Sequence, residues 1–122
     1  MRRYDAADYS DLSSWLSKRG MPLSQKMDLP EVGYIEPDVA CGFLIQTDTK
    51  TAIIDFVISN PEASRRERNS ALNCILRELI KHARWLHYKR INASIQVSVS
   101  KELAKSVGFR ELGEHSEFMK EL

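Results

Sequence analysis

"IIDFVISNPEASRRERNSALNCILRELIKHARWLHYKRI", residues 53–91, holds the change of period that decides the fold. Its first part, up to Ser59, is rich in β-branched and aromatic residues and apolar on both faces of a pleat, as in a strand buried on two sides. Asp55 is the only carboxylate in that run. Further on, Leu72, Ile75, Leu76, Leu79, Ile80, Ala83 and Leu86 recur at spacings of three and four, which predicts an amphipathic helix from Arg65 to about Tyr88. In the junction Pro61 ends the strand, and Ser64-x-x-Glu67 has the form of a capping box, in which two side chains satisfy the helix's first free N–H groups. A two-sided strand handing over to a long helix is the nucleus of an α/β layer.

Upstream, residues 1–4 suit a short strand, and "DAADYSDLSSWLSKRG" places Tyr9, Leu12, Trp15 and Leu16 on one helical face. Asp5 caps that helix and Gly20 ends it. "MPLSQKMDLPE" is broken by Pro22 and Pro30, so a loop or a short helix between breaks is expected there. "EVGYIE", "ACGFLIQT" and "TAIIDFVIS" have the spacing of an antiparallel meander with the third strand central. Downstream, "RINASIQV" reads as a strand and "SKELAKSVGF" as a short helix with Ser100 as its cap and Gly108 at its end. "RELGEHSEFMKEL" closes the chain as a last strand or an irregular tail. The predicted class is α/β, a mixed central sheet flanked by helices, with residues 1–122 forming one domain.

Composition narrows the function classes. A chain of 122 residues with 43% apolar and 29% charged content can bury a substantial core. A formal charge of +1 gives no global field of the kind found in nucleic-acid binders or membrane-surface proteins, so partners must be read from local patches. "MRRYDAADYS" lacks the apolar centre of a signal peptide, and no run is long and apolar enough to span a bilayer, so the expected location is cytoplasmic. Cys41 and Cys74 have no CxxC spacing and are expected as reduced, buried thiols. His82 and His87, five apart on a helix, do not share a face, and no metal site is expected. No nucleophile-elbow motif points to hydrolase chemistry. "HARWLHYKR" mixes basic and aromatic residues, which suits a nucleic-acid or protein patch, or simply a helix end that packs Trp85.

The order of elements, Pro61 and Glu62 after the central strand, "SAL" one turn into the helix and the Gly108-Phe109 pair together resemble the GNAT (GCN5-related N-acetyltransferase) superfamily, in its short, phage-borne branch. The resemblance spans most of the chain. It implies acetyl-CoA bound where the central strand parts from its parallel neighbour, and acetyl transfer to an amine-bearing acceptor, a small molecule or a protein. Backbone amides of Val57, Ile58, Ser59 and Asn60 would hold the pantetheine.

The family's pyrophosphate loop, Gln/Arg-x-x-Gly-x-Gly/Ala, aligns with Ser64, Arg65, Arg66, Glu67, Arg68 and Asn69, which lack its glycines. Glycines let the backbone approach phosphate and leave the first N–H groups free to donate. Glu67 adds a like charge, which Arg65, Arg66 and Arg68 offset. Two readings stay open: a repurposed phosphate loop using Ser64, the three arginines and Asn69, or a helix that has capped its own anion site.

Asp55 matches the family's strand carboxylate and is the candidate catalytic base, since flanking Ile54 and Phe56 would desolvate it. A structural acid bonded to a neighbouring strand is the alternative. The family's tyrosine, proton donor to the departing thiolate, is replaced by Ala104, and Ser106 and Ser100 lack a phenol's acidity. Two functions therefore compete: an acyl-CoA-dependent N-acyltransferase of weakened activity, and a non-catalytic scaffold that binds a macromolecular partner such as a host protein or virion component.

Overall fold

The computed structural model describes residues 1–94, 101–111 and 117–122. The chain opens with strand β1 (Arg2–Arg3), a 3-10 turn at Ala6–Asp8 and helix α1 (Tyr9–Lys18). Asp5 caps the 3-10 turn instead of α1 itself, in a reciprocal box with Asp8. At the other end Gly20, at φ +76°, gives its N–H to Ser17 O while Met21 N–H reaches Leu16 O, the paired bonds of a Schellman motif. Residues 21–31 then run as an irregular connection.

Strands β2 (Val32–Glu36), β3 (Ala40–Ile45) and β4 (Thr51–Ser59) form the expected antiparallel meander. Helix α2 (Arg65–Trp85) carries the chain over to β5 (Arg90–Ser94), which lies parallel to β4. Helix α3 (Lys101–Ser106) follows, then β6 (Arg110–Glu111) and β7 (Glu117–Glu121). The seven strands of the described residues lie in the order β1-β2-β3-β4-β5-β7-β6, so β4 is central and β4–β5 is, among those residues, the one parallel pair of a mixed sheet. The C-terminal stretch is thus two strands, with Arg110 opposite Met119 and Glu111 opposite Phe118. The rest of "RINASIQV" after Ser94, and the proposed cap Ser100, lie outside the described residues.

Alternation along the strands builds two cores. Leu12, Trp15 and Leu16 of α1 pack with Ile35, Cys41, Phe43 and Ile58 on one face of the sheet. On the other, Leu72, Ile75, Leu76 and Leu79 of α2 pack with Leu44, Ile54, Val57, Ile91 and Phe118. Gly42 sits beneath α2, where a Cβ would come within 3.0 Å of Ile75, so the close helix-to-sheet approach depends on the missing side chain. Two expectations are corrected. Trp85 does not pack: it is 74% exposed, edge-on to His82, because α2 ends there and turns its last apolar contacts over to Leu86 and Tyr88. Cys41 is buried but Cys74 is exposed, in a shallow groove between α2 and the β2–β3 turn at Glu36 and Val39.

Candidate functional site

The site begins with a flaw in the ladder. Between the pairs Cys41–Ile58 and Phe43–Asp55, one residue of β3, Gly42, faces two of β4, Phe56 and Val57, which is a β-bulge. Phe56 takes the left-handed conformation there, at φ +52°. The bulge breaks the alternation of β4: Ile54 and Val57 both join the α2 core, while Asp55 and Phe56, neighbours in sequence, both line a cavity on the α1 side. Asp55 Oδ1 accepts the N–H of Phe56 at 2.7 Å, so the carboxylate caps the bulge that exposes it.

On its other edge β4 has a parallel neighbour. Pairing with β5 runs from Thr51–Arg90 to Ile54–Ala93, and beyond Ile54 the pairing of β4 among the described residues is with β3. The cavity on the α1 side of β4 has a volume of about 630 Å³, within the range of small-molecule sites. Leu16, Met21, Met27, Phe56, Val57 and Ile58 form its apolar wall, and Lys18, Arg19 and Asp55 bring charge to it.

Arg19 was not legible as a site residue in the sequence. It stands at the C-cap of α1 and reaches Ser59, 40 positions away, donating from Nε to the backbone carbonyl at 3.1 Å and from Nη2 to Oγ at 2.7 Å. Burial, and then the nearby positive charge of Arg68, pull its pKa below the usual arginine value. Among the described residues it has no carboxylate partner. Lys18, by contrast, is paired with Glu62 at 3.1 Å.

The predicted loop residues occupy the next turn of chain. Ser64 and Glu67 form the capping box: Ser64 Oγ accepts Glu67 N–H at 3.1 Å, and Glu67 Oε1 accepts Ser64 N–H at 3.2 Å. Arg65, Arg66 and Asn69 are exposed, and Arg68 turns back to donate to Pro61 O at 3.3 Å. Asn60 is a turn builder, giving its backbone N–H to Val39 O and its side-chain amide to Asp38 O while accepting Glu62 N–H. Val57, Ile58 and Ser59 are buried, and Ala104 is fully buried in the α2 core. Bulge, cavity wall and the start of α2 therefore follow one another within residues 55–67. Among the described residues no group of three His, Cys, Asp or Glu side chains is placed to hold a metal ion, and no helix is long and apolar enough to cross a membrane.

No protein-family model and no curated protein matches the sequence. Solved structures do match. An acetyltransferase of the GNAT family from Staphylococcus aureus Mu50 superposes with a TM-score of 0.69 over 98% of this chain and 96% of its own, at 13% identity. The fold is that of the GNAT acetyltransferases. Two further structures share it and hold the coenzyme: the Mycobacterium tuberculosis protein Rv2747 in complex with CoA (TM-score 0.63, 18% identity, 91% of this chain and 71% of that one), and N-acetylglutamate synthase from Neisseria gonorrhoeae complexed with coenzyme A and L-arginine (TM-score 0.63, 14% identity). The present chain is covered to 99% in the latter match but spans only 32% of that enzyme. At such identities the likeness is one of fold, and the chemistry must come from the site.

Proposed function

We propose that this chain, as a single domain over residues 1–122, is a CoA-dependent N-acyltransferase acting on an amine held in the cavity. The observation that carries the reading is the bulge, which turns Asp55 toward the cavity. Bound acetyl-CoA would supply the acyl group as a thioester. Asp55 accepts the proton of the attacking amine, directly or through one water, while Phe56 N–H fixes the carboxylate. Val57, Ile58 and Ser59 of β4 would take the pantetheine arm; the N–H of Asn60 already belongs to Val39. Arg65, Arg66, Arg68 and Asn69, with Ser64 at the cap, replace a glycine loop on the phosphate side. Ala104 offers no hydroxyl to the departing thiolate, so this chain would be a slow catalyst of its class. Free thiols at Cys41 and Cys74 suit a cytoplasmic setting.

One observation favours the second reading, a non-catalytic scaffold for a host protein or virion component of a phage. The capping box closes the anion site of α2 with the protein's own carboxylate. Calorimetric titration with acetyl-CoA decides between them. Saturable heat at micromolar ligand is expected, and silence at millimolar ligand would remove the enzyme reading.

A further inference from the structure

The cavity has two charged poles that the N-acyltransferase reading leaves unequal. Asp55, at the bulge, is suited to an amine. Arg19, at the far end of the same strand segment, is a half-buried guanidinium held by Ser59 alone. Two of its five N–H donors are committed to a neutral serine, and the remainder have no carboxylate among the described residues. A guanidinium on the cavity wall with free N–H donors and, among the described residues, no counter-ion forms a place for an anion. Lys18 does not compete for it, being paired with Glu62.

The span from Asp55 to Ser59, at about 3.3 Å per residue less the shortening of the bulge, sets the poles roughly 10 Å apart. Leu16, Met21, Met27 and Phe56 lie on the walls, and methionines adapt to irregular apolar shapes. We infer that the acceptor is an elongated amine carrying a carboxylate at its other end, with an apolar spacer between: an ω-amino acid or a short apolar peptide, amine at Asp55 and carboxylate at Arg19. This rests on the cavity being the acceptor site.

The test is calorimetric binding to the whole protein, with ω-aminooctanoate against octylamine, which has the same amine and chain but no carboxylate. The acid should bind about tenfold tighter or better, the difference expected for one charge-assisted pair. Arg19→Gln should erase the preference, and Arg19→Lys should retain most of it; the lysine variant covers the case in which loss of the Ser59 contacts unfolds the glutamine variant. Equal binding of the two probes, or no saturable binding of either, would overturn the inference. So would an Arg19→Gln protein that keeps the preference but loses acetyl-CoA affinity, because the anion at Arg19 would then be a coenzyme phosphate. Acetyl-CoA titration of the same samples separates the two levels. Coenzyme binding with no preference between probes sinks the acceptor assignment alone, and a preference without coenzyme binding sinks the transferase reading alone.

Discussion

Asp55 owes its place on the cavity wall to the residue after it. A phenylalanine in the left-handed region is disfavoured by roughly 1–2 kcal/mol, and it holds here because its ring packs edge-on to Phe43 while its N–H is bonded to the Asp55 carboxylate. If Asp55 is the base, Asp55→Asn, which retains an oxygen to accept that N–H, should leave the fold intact and lower turnover by about 10²–10⁴ in steady-state acetyl transfer. Unchanged turnover would dismiss the role. Asp8 makes a different kind of prediction. Its carboxylate accepts two bonds from Arg2, at 2.7 and 2.9 Å, and one from Asp5 N–H at 2.9 Å; the Arg2 bonds, outweighing burial, hold it below the usual carboxylate range. A depressed folded pKa means its contribution is complete above the unfolded value near 3.9 and is lost as pH falls through the lower folded one. Asp8→Asn should therefore cost on the order of 1 kcal/mol at pH 7, moderated by the exposure of Arg2, and progressively less in urea unfolding below about pH 4. The lone acid of the strand could be picked out from sequence, but the bulge that aims it could not, because no glycine or asparagine marks position 56. Arg19 had no signal at all: its partner is 40 positions away and the contact exists only once α1 lies on β4.

Among the elements, α2 was the most legible, since its stripe and its first-turn box are both local. Leu76 and Leu79 are buried against the sheet, so Leu76→Ala and Leu79→Ala should each destabilise by about 2–5 kcal/mol in denaturant unfolding. Losses below about 1 kcal/mol in both would contradict that packing. Glu67→Gly should remove the reciprocal cap and add a poor helix former, costing roughly 1 kcal/mol or more. The same change frees Ser64 N–H and removes a negative charge from the phosphate side, so acetyl-CoA affinity should rise as the melting temperature falls. Weaker coenzyme binding by the variant would show that the box supports the site instead of closing it. The C-terminal hairpin was harder to see. β6 is only Arg110–Glu111, too short for a period, and its pairing with Met119 and Phe118 is a tertiary fact. Trp85 misled for a similar reason, because helical spacing near a terminus does not say where the sheet stops beneath it.

At the scale of the molecule, β1 to β4 and β5 to β7 are two antiparallel sets joined by α2 and by four parallel residue pairs, from Thr51–Arg90 to Ile54–Ala93. The cavity lies further along β4, at Asp55 to Ile58. The β4–β5 join behaves like the spine of a book: each cover is stiffened by its own ladder, and what bends is the line between them. A ligand bridging β4 and β5 would work as a clasp, adding bonds across the spine while leaving the covers as they were. Its stabilisation by mass action should therefore be read unevenly along the chain. In hydrogen exchange with saturating acetyl-CoA, the amides of β4 and β5 should slow by a larger factor than those of the β2–β3 hairpin, and uniform protection of all strands would mean that the covers do not open along this line.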